Sequence, residues 1–169
     1  GTAVVSGGNH TLGVGLYDNY GTTRINLSSG SALTVNAGAG LINQPGGIVE
    51  FGADNNAITG GGMFGNAGTV QIAAANIGTN TVSTATLNNA DGTWAANTGR
   101  LNIAPSASAS FFDTTNITGD GVYFTAGTVT FANSTPSANE MNGTVNLDGA
   151  NFDVVAGYAL AINDTLNWS

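Results

Sequence analysis

The chain has no lysine and no cysteine, only two arginines and three prolines, and charged residues make up 7% of it. Without cysteine there are no disulfides, thiolate metal sites or cysteine nucleophiles. A globular domain usually carries about 25% charged residues. Solubility here must come from Asn, Thr, Ser and backbone amides, helped by a net charge of −8. Arg24 and Arg100 are the only strong cations. They are too few to neutralise a phosphate backbone, which argues against nucleic acid as a partner. The same shortage argues against a basic patch for anionic lipid. No run approaches the roughly 20 apolar residues of a membrane helix, so no membrane insertion is expected. Scarce basic residues leave few sites for common proteases, which points to an extracellular or cell-surface location.

Long helix-forming polar residues are also scarce. The 26 glycines each cost about 1 kcal/mol relative to Ala inside a helix. In place of a helical period, short apolar–polar–apolar triplets recur: Ile25/Leu27, Leu33/Val35, Val49/Phe51, Val70/Ile72, Ala85/Leu87, Leu101/Ile103, Val129/Phe131, Val145/Leu147, Phe152/Val154 and Leu160/Ile162. That is a period of two with one buried face. Gly7-Gly8-Asn9, Asn36-Ala37-Gly38, Pro45-Gly46-Gly47, Asp91-Gly92, Asp120-Gly121 and Asp148-Gly149 mark turns.

The chain also repeats itself. Ile58-Thr59-Gly60 through Gly68-Thr69-Val70-Gln71-Ile72 returns further along as Ile117-Thr118-Gly119 through Gly127-Thr128-Val129-Thr130-Phe131. A recurrence at so long a fixed offset marks stacked modules. Weaker matches divide the chain into three units, 1–57, 58–116 and an incomplete 117–169. The unfinished third unit suggests a segment of a longer protein. A long repeat built from short strands predicts an all-β fold, a single parallel β-solenoid domain. Coils of about 20 residues would fit three to a repeat. The alternative is an antiparallel β-sandwich of pilin type, because Asp-Gly between strands is also a hairpin signal.

The blocks Gly68-Thr69-Val70-Gln71-Ile72, Gly127-Thr128-Val129-Thr130-Phe131 and Gly143-Thr144-Val145-Asn146-Leu147, with the closing Leu166-Asn167-Trp168-Ser169, resemble right-handed β-helix repeats of large bacterial surface proteins. Those are the autotransporter passengers and filamentous-haemagglutinin-like adhesins. The resemblance implies a secreted or surface-displayed rod used in adhesion, biofilm or fibre formation.

No catalytic, cofactor or metal site is expected. The aspartates sit mostly in Gly/Asn turns, where local hydrogen bonds occupy them. His10 stands beside a turn, without triad partners. Trp94, Trp168, Tyr17, Tyr20, Tyr123 and Tyr158 could stack on sugars, and Tyr17 and Tyr20, in a polar loop, are the candidate ligand contacts. Asn9, Asn26, Asn116, Asn133, Asn142, Asn163 and Asn167 lie in Asn-x-Ser/Thr sequons and are candidate glycosylation sites. The expected partners are further copies of the chain or a longer parent chain, and cell-surface or matrix polysaccharide. A pilin-like subunit polymerising by strand donation goes with the sandwich alternative.

Overall fold

The computed structural model describes residues 1–132 and 139–169. Period-two triplets separated by turn residues fold as short strands, and the chain winds through about seven turns of a parallel β-solenoid. Each coil contributes one strand to each of three faces. Face one stacks β1 (Thr2–Gly7), β4 (Thr22–Leu27), β7 (Ile48–Phe51), β9 (Thr69–Ile72), β11 (Thr93–Ala95), β14 (Thr114–Thr118), β17 (Asn139–Asn142) and β20 (Leu160–Ile162). Face two stacks β2 (His10–Leu12), β5 (Ala32–Val35), the first parts of β8 (Ala57–Asn66) and β10 (Thr79–Ala90), then β12 (Arg100–Ile103), β15 (Val122–Phe124), β18 (Val145–Leu147) and β21 (Leu166–Trp168). Face three stacks β3 (Gly15–Asn19), β6 (Ala39–Asn43), the second parts of β8 and β10, then β13 (Ser108–Phe112), β16 (Thr128–Phe131) and β19 (Asn151–Val154).

All of these strand pairs are parallel. The pilin-type sandwich is therefore not the fold. Asp91-Gly92, Asp120-Gly121 and Asp148-Gly149 carry the chain round a corner to the next face instead of reversing it into a hairpin.

On face one Thr2 pairs with Thr22, Thr22 with Ile48, Ile48 with Thr69, Thr69 with Thr93, Thr93 with Asn116 and Asn116 with Asn142, so the coils differ in length. The long similarity in sequence does not span a whole number of coils. Ile58 lies on face two of the third coil, but Ile117 lies on face one of the sixth. Val70 lies on face one, and its counterpart Val129 on face three. The similarity works because all three faces obey one rule, apolar inward and polar outward.

The triplets do point inward. Ile25, Val35, Val49, Phe51, Val70, Leu101, Ile103, Val129 and Val145 are fully buried. Two positions depart from this: at Ala85 β10 shifts register between Thr84 and Thr86 as it bends from face two to face three, and Val154, in the last strand of face three, is 37% exposed. Leu41, Ile58, Phe64, Val82, Trp94, Phe111 and Phe124 belong to the same core. Each such side chain contributes about 1.5–3 kcal/mol by leaving water.

A second element of the interior is polar. At the corner between faces three and one, Asn19, Asn43, Asn66 and Asn89 stack one per coil, all buried. Asn19 Nδ2 donates to Asn43 Oδ1 at 2.8 Å, Asn43 Nδ2 to Asn66 Oδ1 at 2.9 Å, and Asn66 Nδ2 to Asn89 Oδ1 at 3.0 Å. The first two Nδ2 groups also donate to the carbonyls of Ile48 and Thr69, each at 3.0 Å. Shortly after each ladder asparagine comes a glycine that opens the next face-one strand: Gly21, Gly47, Gly68 and Gly92. Stacking leaves that position no room for a side chain. A Cβ on Gly68 would overlap the Gly47 carbonyl oxygen and lie 2.8 Å from Asn43 Nδ2.

The ladder stops at Asn89, because Phe111 occupies the matching position of the next coil. Asn89 Nδ2 donates instead to Thr115 Oγ1, and Trp94 Nε1 donates to Asn89 Oδ1, both at 2.9 Å. An aromatic cluster runs on from here beside aliphatic core residues such as Ile117, Val122, Val129 and Val145, and it reaches back to Phe64, 6.2 Å from Trp94. Trp94 stacks on Phe111 at 6.4 Å, Phe111 meets Phe124 at 5.8 Å and Phe131 at 5.9 Å, and Phe152 meets both Phe124 and Phe131 at 5.1 Å.

Replacing Asn66 by Ala removes an acceptor from Asn43 and a donor from Asn89. Urea unfolding should show a loss of about 2–3 kcal/mol. Asn26→Ala, on the solvent side of β4, should stay within about 0.5 kcal/mol of the parent.

Candidate functional site

The side chains able to do chemistry are few, and the fold uses most of them to join coils. On face one the Arg24 guanidinium lies 2.6 Å from Glu50 Oε1, and Gln71 Nε2 donates to Glu50 Oε2 at 2.7 Å. Asp54 Oδ1 accepts the Ile77 and Gly78 N–H groups of the next coil at 3.0 and 2.9 Å. Asp91 Oδ1 accepts the Thr114 N–H at 3.0 Å, and Asp18 accepts Gln44 Nε2 at 2.7 Å. These aspartates take the structural role expected of turn residues, but their partners lie one coil away. Among the described residues no group of three His, Cys, Asp or Glu side chains could hold a metal ion.

The hollow with the most varied chemistry lies at the corner between faces one and two. It measures about 480 Å³ and is lined by Asn97, Thr98, Arg100, Asp120 and Tyr123 with the intervening glycines. Arg100 starts β12, which points its long side chain outward and along the rod. Its Nε donates to Asn102 Oδ1 at 2.7 Å and its Nη2 to Asp148 Oδ2 at 2.8 Å. Its Cζ lies 3.8 Å above the Tyr123 ring. One guanidinium thus links the fifth, sixth and seventh coils. The arrangement covers a ring face of Tyr123 and neutralises Asp148, so the hollow is held together by its own charges.

Tyr17 and Tyr20 part company. Tyr17 lies in β3 in register with the buried Leu41 and covers the mouth of the first coil, its hydroxyl 3.4 Å from Thr23 Oγ1. Tyr20 sits in the following turn and is 73% exposed. Both line one shallow depression of about 430 Å³ beside Gly1–Ala3. Trp94 is fully buried, which removes it from any sugar platform, whereas Trp168 is 80% exposed. His10 lies in β2, with Nε2 2.7 Å from the Ser6 carbonyl oxygen.

The sequon asparagines fall into groups that the sequence does not reveal. Asn116, Asn142 and Asn163 form one outward row on face one. Asn163 Nδ2 donates to Asn142 Oδ1 at 2.8 Å and Asn142 Nδ2 to Asn116 Oδ1 at 3.2 Å. Asn167 Nδ2 donates to Asn146 Oδ1 at 2.9 Å. Asn9 Oδ1 accepts the Ala32 N–H at 2.8 Å, and Asn26 is exposed on β4. Asn133 lies outside the described residues. A glycan attaches through Nδ2, the atom that makes these row bonds. Successive rows are about 4.8 Å apart, too close for neighbouring sugars to fit side by side.

No family model matches the chain, and no curated protein or solved structure matches it either. Tyr17→Ala should cost about 1 kcal/mol in urea unfolding, because it uncovers the first coil. Tyr20→Ala should leave the midpoint unchanged within error.

Proposed function

We propose that this chain is a non-enzymatic structural or adhesive length of an extracellular β-solenoid rod. The observation that carries the reading is the use made of the charged side chains: Arg24, Glu50, Asp54, Asp91, Arg100 and Asp148 each bind another coil. The resemblance of the Gly-Thr-Val blocks to bacterial surface-protein repeats supports the same reading, with adhesion or biofilm formation as its setting. Further coils, from the same polypeptide or from another copy, would pair with the free strand edges of the first and last coils.

A carbohydrate-binding role on the same rod is the second reading. Its support is the open depression that Tyr20 shares with Tyr17.

Negative-stain microscopy of the purified chain at rising concentration should show rods that lengthen end to end. Uniform short particles at every concentration would rule out self-assembly. Surface labelling of intact source cells tests the location, and label confined to lysed cells would count against it. A glycan array probed with the parent chain and Tyr20→Ala tests the second reading, which fails if the parent binds nothing. The two arginines give a further check. Arg24-Ile25 and Arg100-Leu101 lie in strands paired on both sides. Native protein should therefore resist trypsin, and the heat-unfolded chain should be cut at both bonds.

A further inference from the structure

The hollow at the corner between faces one and two is a product of the stacking. The fifth coil turns that corner as Asn97-Thr98-Gly99-Arg100, and the sixth coil's Gly119-Asp120-Gly121 lies against it. A Cβ on Gly121 would overlap the Gly99 carbonyl oxygen, and one on Gly119 would lie 2.7 Å from Asn97 Oδ1. Both positions must stay bare. The floor of the hollow is therefore backbone, and its walls are the longer side chains around it.

Those walls differ in chemistry. Arg100 brings donors only, ionised Asp120 brings acceptors only, and the Asn97 amide and Tyr123 hydroxyl bring both. Arg100 is held by Asn102, Asp148 and the Tyr123 ring. An anchor already fixed loses little freedom on binding. Asn97 and Asp120 are exposed, and their side chains hold no other coil among the described residues. The same corner three coils earlier is closed instead, because Asp54 Oδ1 accepts the Ile77 and Gly78 N–H groups of the next coil. Asp120 accepts no such bond among the described residues, so its oxygens face the hollow unspent.

A neutral sugar suits this set. Each sugar hydroxyl both donates and accepts, so it needs donors and acceptors side by side. An anion would meet Asp120, Asp148 and a net charge of −8, and a cation would meet the guanidinium. The volume of about 480 Å³ lies within the usual range for a small-ligand site. The depression beside Tyr20 offers less: Tyr17 covers the first coil, and Asp18 already accepts from Gln44.

We infer that the Arg100 hollow holds a neutral sugar unit of a polysaccharide, with Asp120 and Asn97 binding its hydroxyls beside the fixed guanidinium. The inference rests on the carbohydrate reading of the rod and gives it a different place from the Tyr20 depression.

An array of neutral gluco-, galacto-, manno- and xylo-oligosaccharides, with oligogalacturonides as the acidic arm, tests this on the whole chain. The parent should retain a neutral oligosaccharide in preference to the acidic ones. Calorimetry with that oligosaccharide should show Kd rising about tenfold in Asp120→Ala and about threefold in Asn97→Ala, but less than twofold in Tyr20→Ala. Both hollow variants should keep the parent's urea midpoint, which separates lost contact from lost fold. In the parent's amide NMR spectrum the sugar should shift Gly119, Asp120 and Gly121. If Asp120→Ala and Asn97→Ala bind like the parent while Tyr20→Ala does not, the carbohydrate reading stands and this placement fails. Tighter binding of the acidic arm would overturn the ligand class. If no oligosaccharide binds, the placement and the carbohydrate reading fall together.

Discussion

Each amide of the inner asparagine ladder finds a partner in the coil above or below, and that requirement constrains the rest of the structure. A primary amide has donors at one position and an acceptor at the other. Stacked at the strand spacing of about 4.8 Å, each can donate upward and accept from below. Asn19, Asn43, Asn66 and Asn89 do this inside the rod. The cost of burying an amide without a partner, about 1–3 kcal/mol, fixes the register of the coils at that corner. The apolar side chains supply more free energy, but they would tolerate a slip of one coil length more easily than the ladder does.

Fixing that corner also explains the glycines. Once two coils are held at hydrogen-bond distance, the chain entering the next face-one strand passes directly over the turn below. Gly68 sits against the Gly47 carbonyl and the Asn43 amide, where any Cβ would collide. Elsewhere the turns absorb coils of unequal length without disturbing the faces. The strand corners are tight, and the loops between them take up the variation.

Much of the fold could be read from the sequence. The triplets named the inward residues of most strands, and their spacing with Gly turns pointed to stacked parallel coils. The coil length was harder to read. The three faces have the same inward pattern, so the similarity between Ile58–Ile72 and Ile117–Phe131 stands out although it joins different faces. The truer coil signal was an asparagine with a glycine soon after it, returning once per coil at Asn19, Asn43, Asn66 and Asn89. It was hidden by the abundance of those two residue types. Ala85 departs from its triplet because a register shift cannot be seen in a pattern of two. Trp94 looked like a surface aromatic because its hydrogen-bond partner, Asn89, is itself inside. Arg100 gave no local sign of its role, since Tyr123 and Asp148 belong to later coils, far along the chain.

The mismatch between the long similarity and the coil has a geometric result. Its two copies are separated by two full coils and about two-thirds of another, from face two of the third coil to face one of the sixth. Gln71 looks out from face one, and its counterpart Thr130 looks out from face three. A rod lengthened by copying that segment would carry its outer decorations along a helical path, rotated by about a third of a turn each time. Any feature written into the repeat would then be offered in three directions around the axis, and a surface approached from any side would meet one of them.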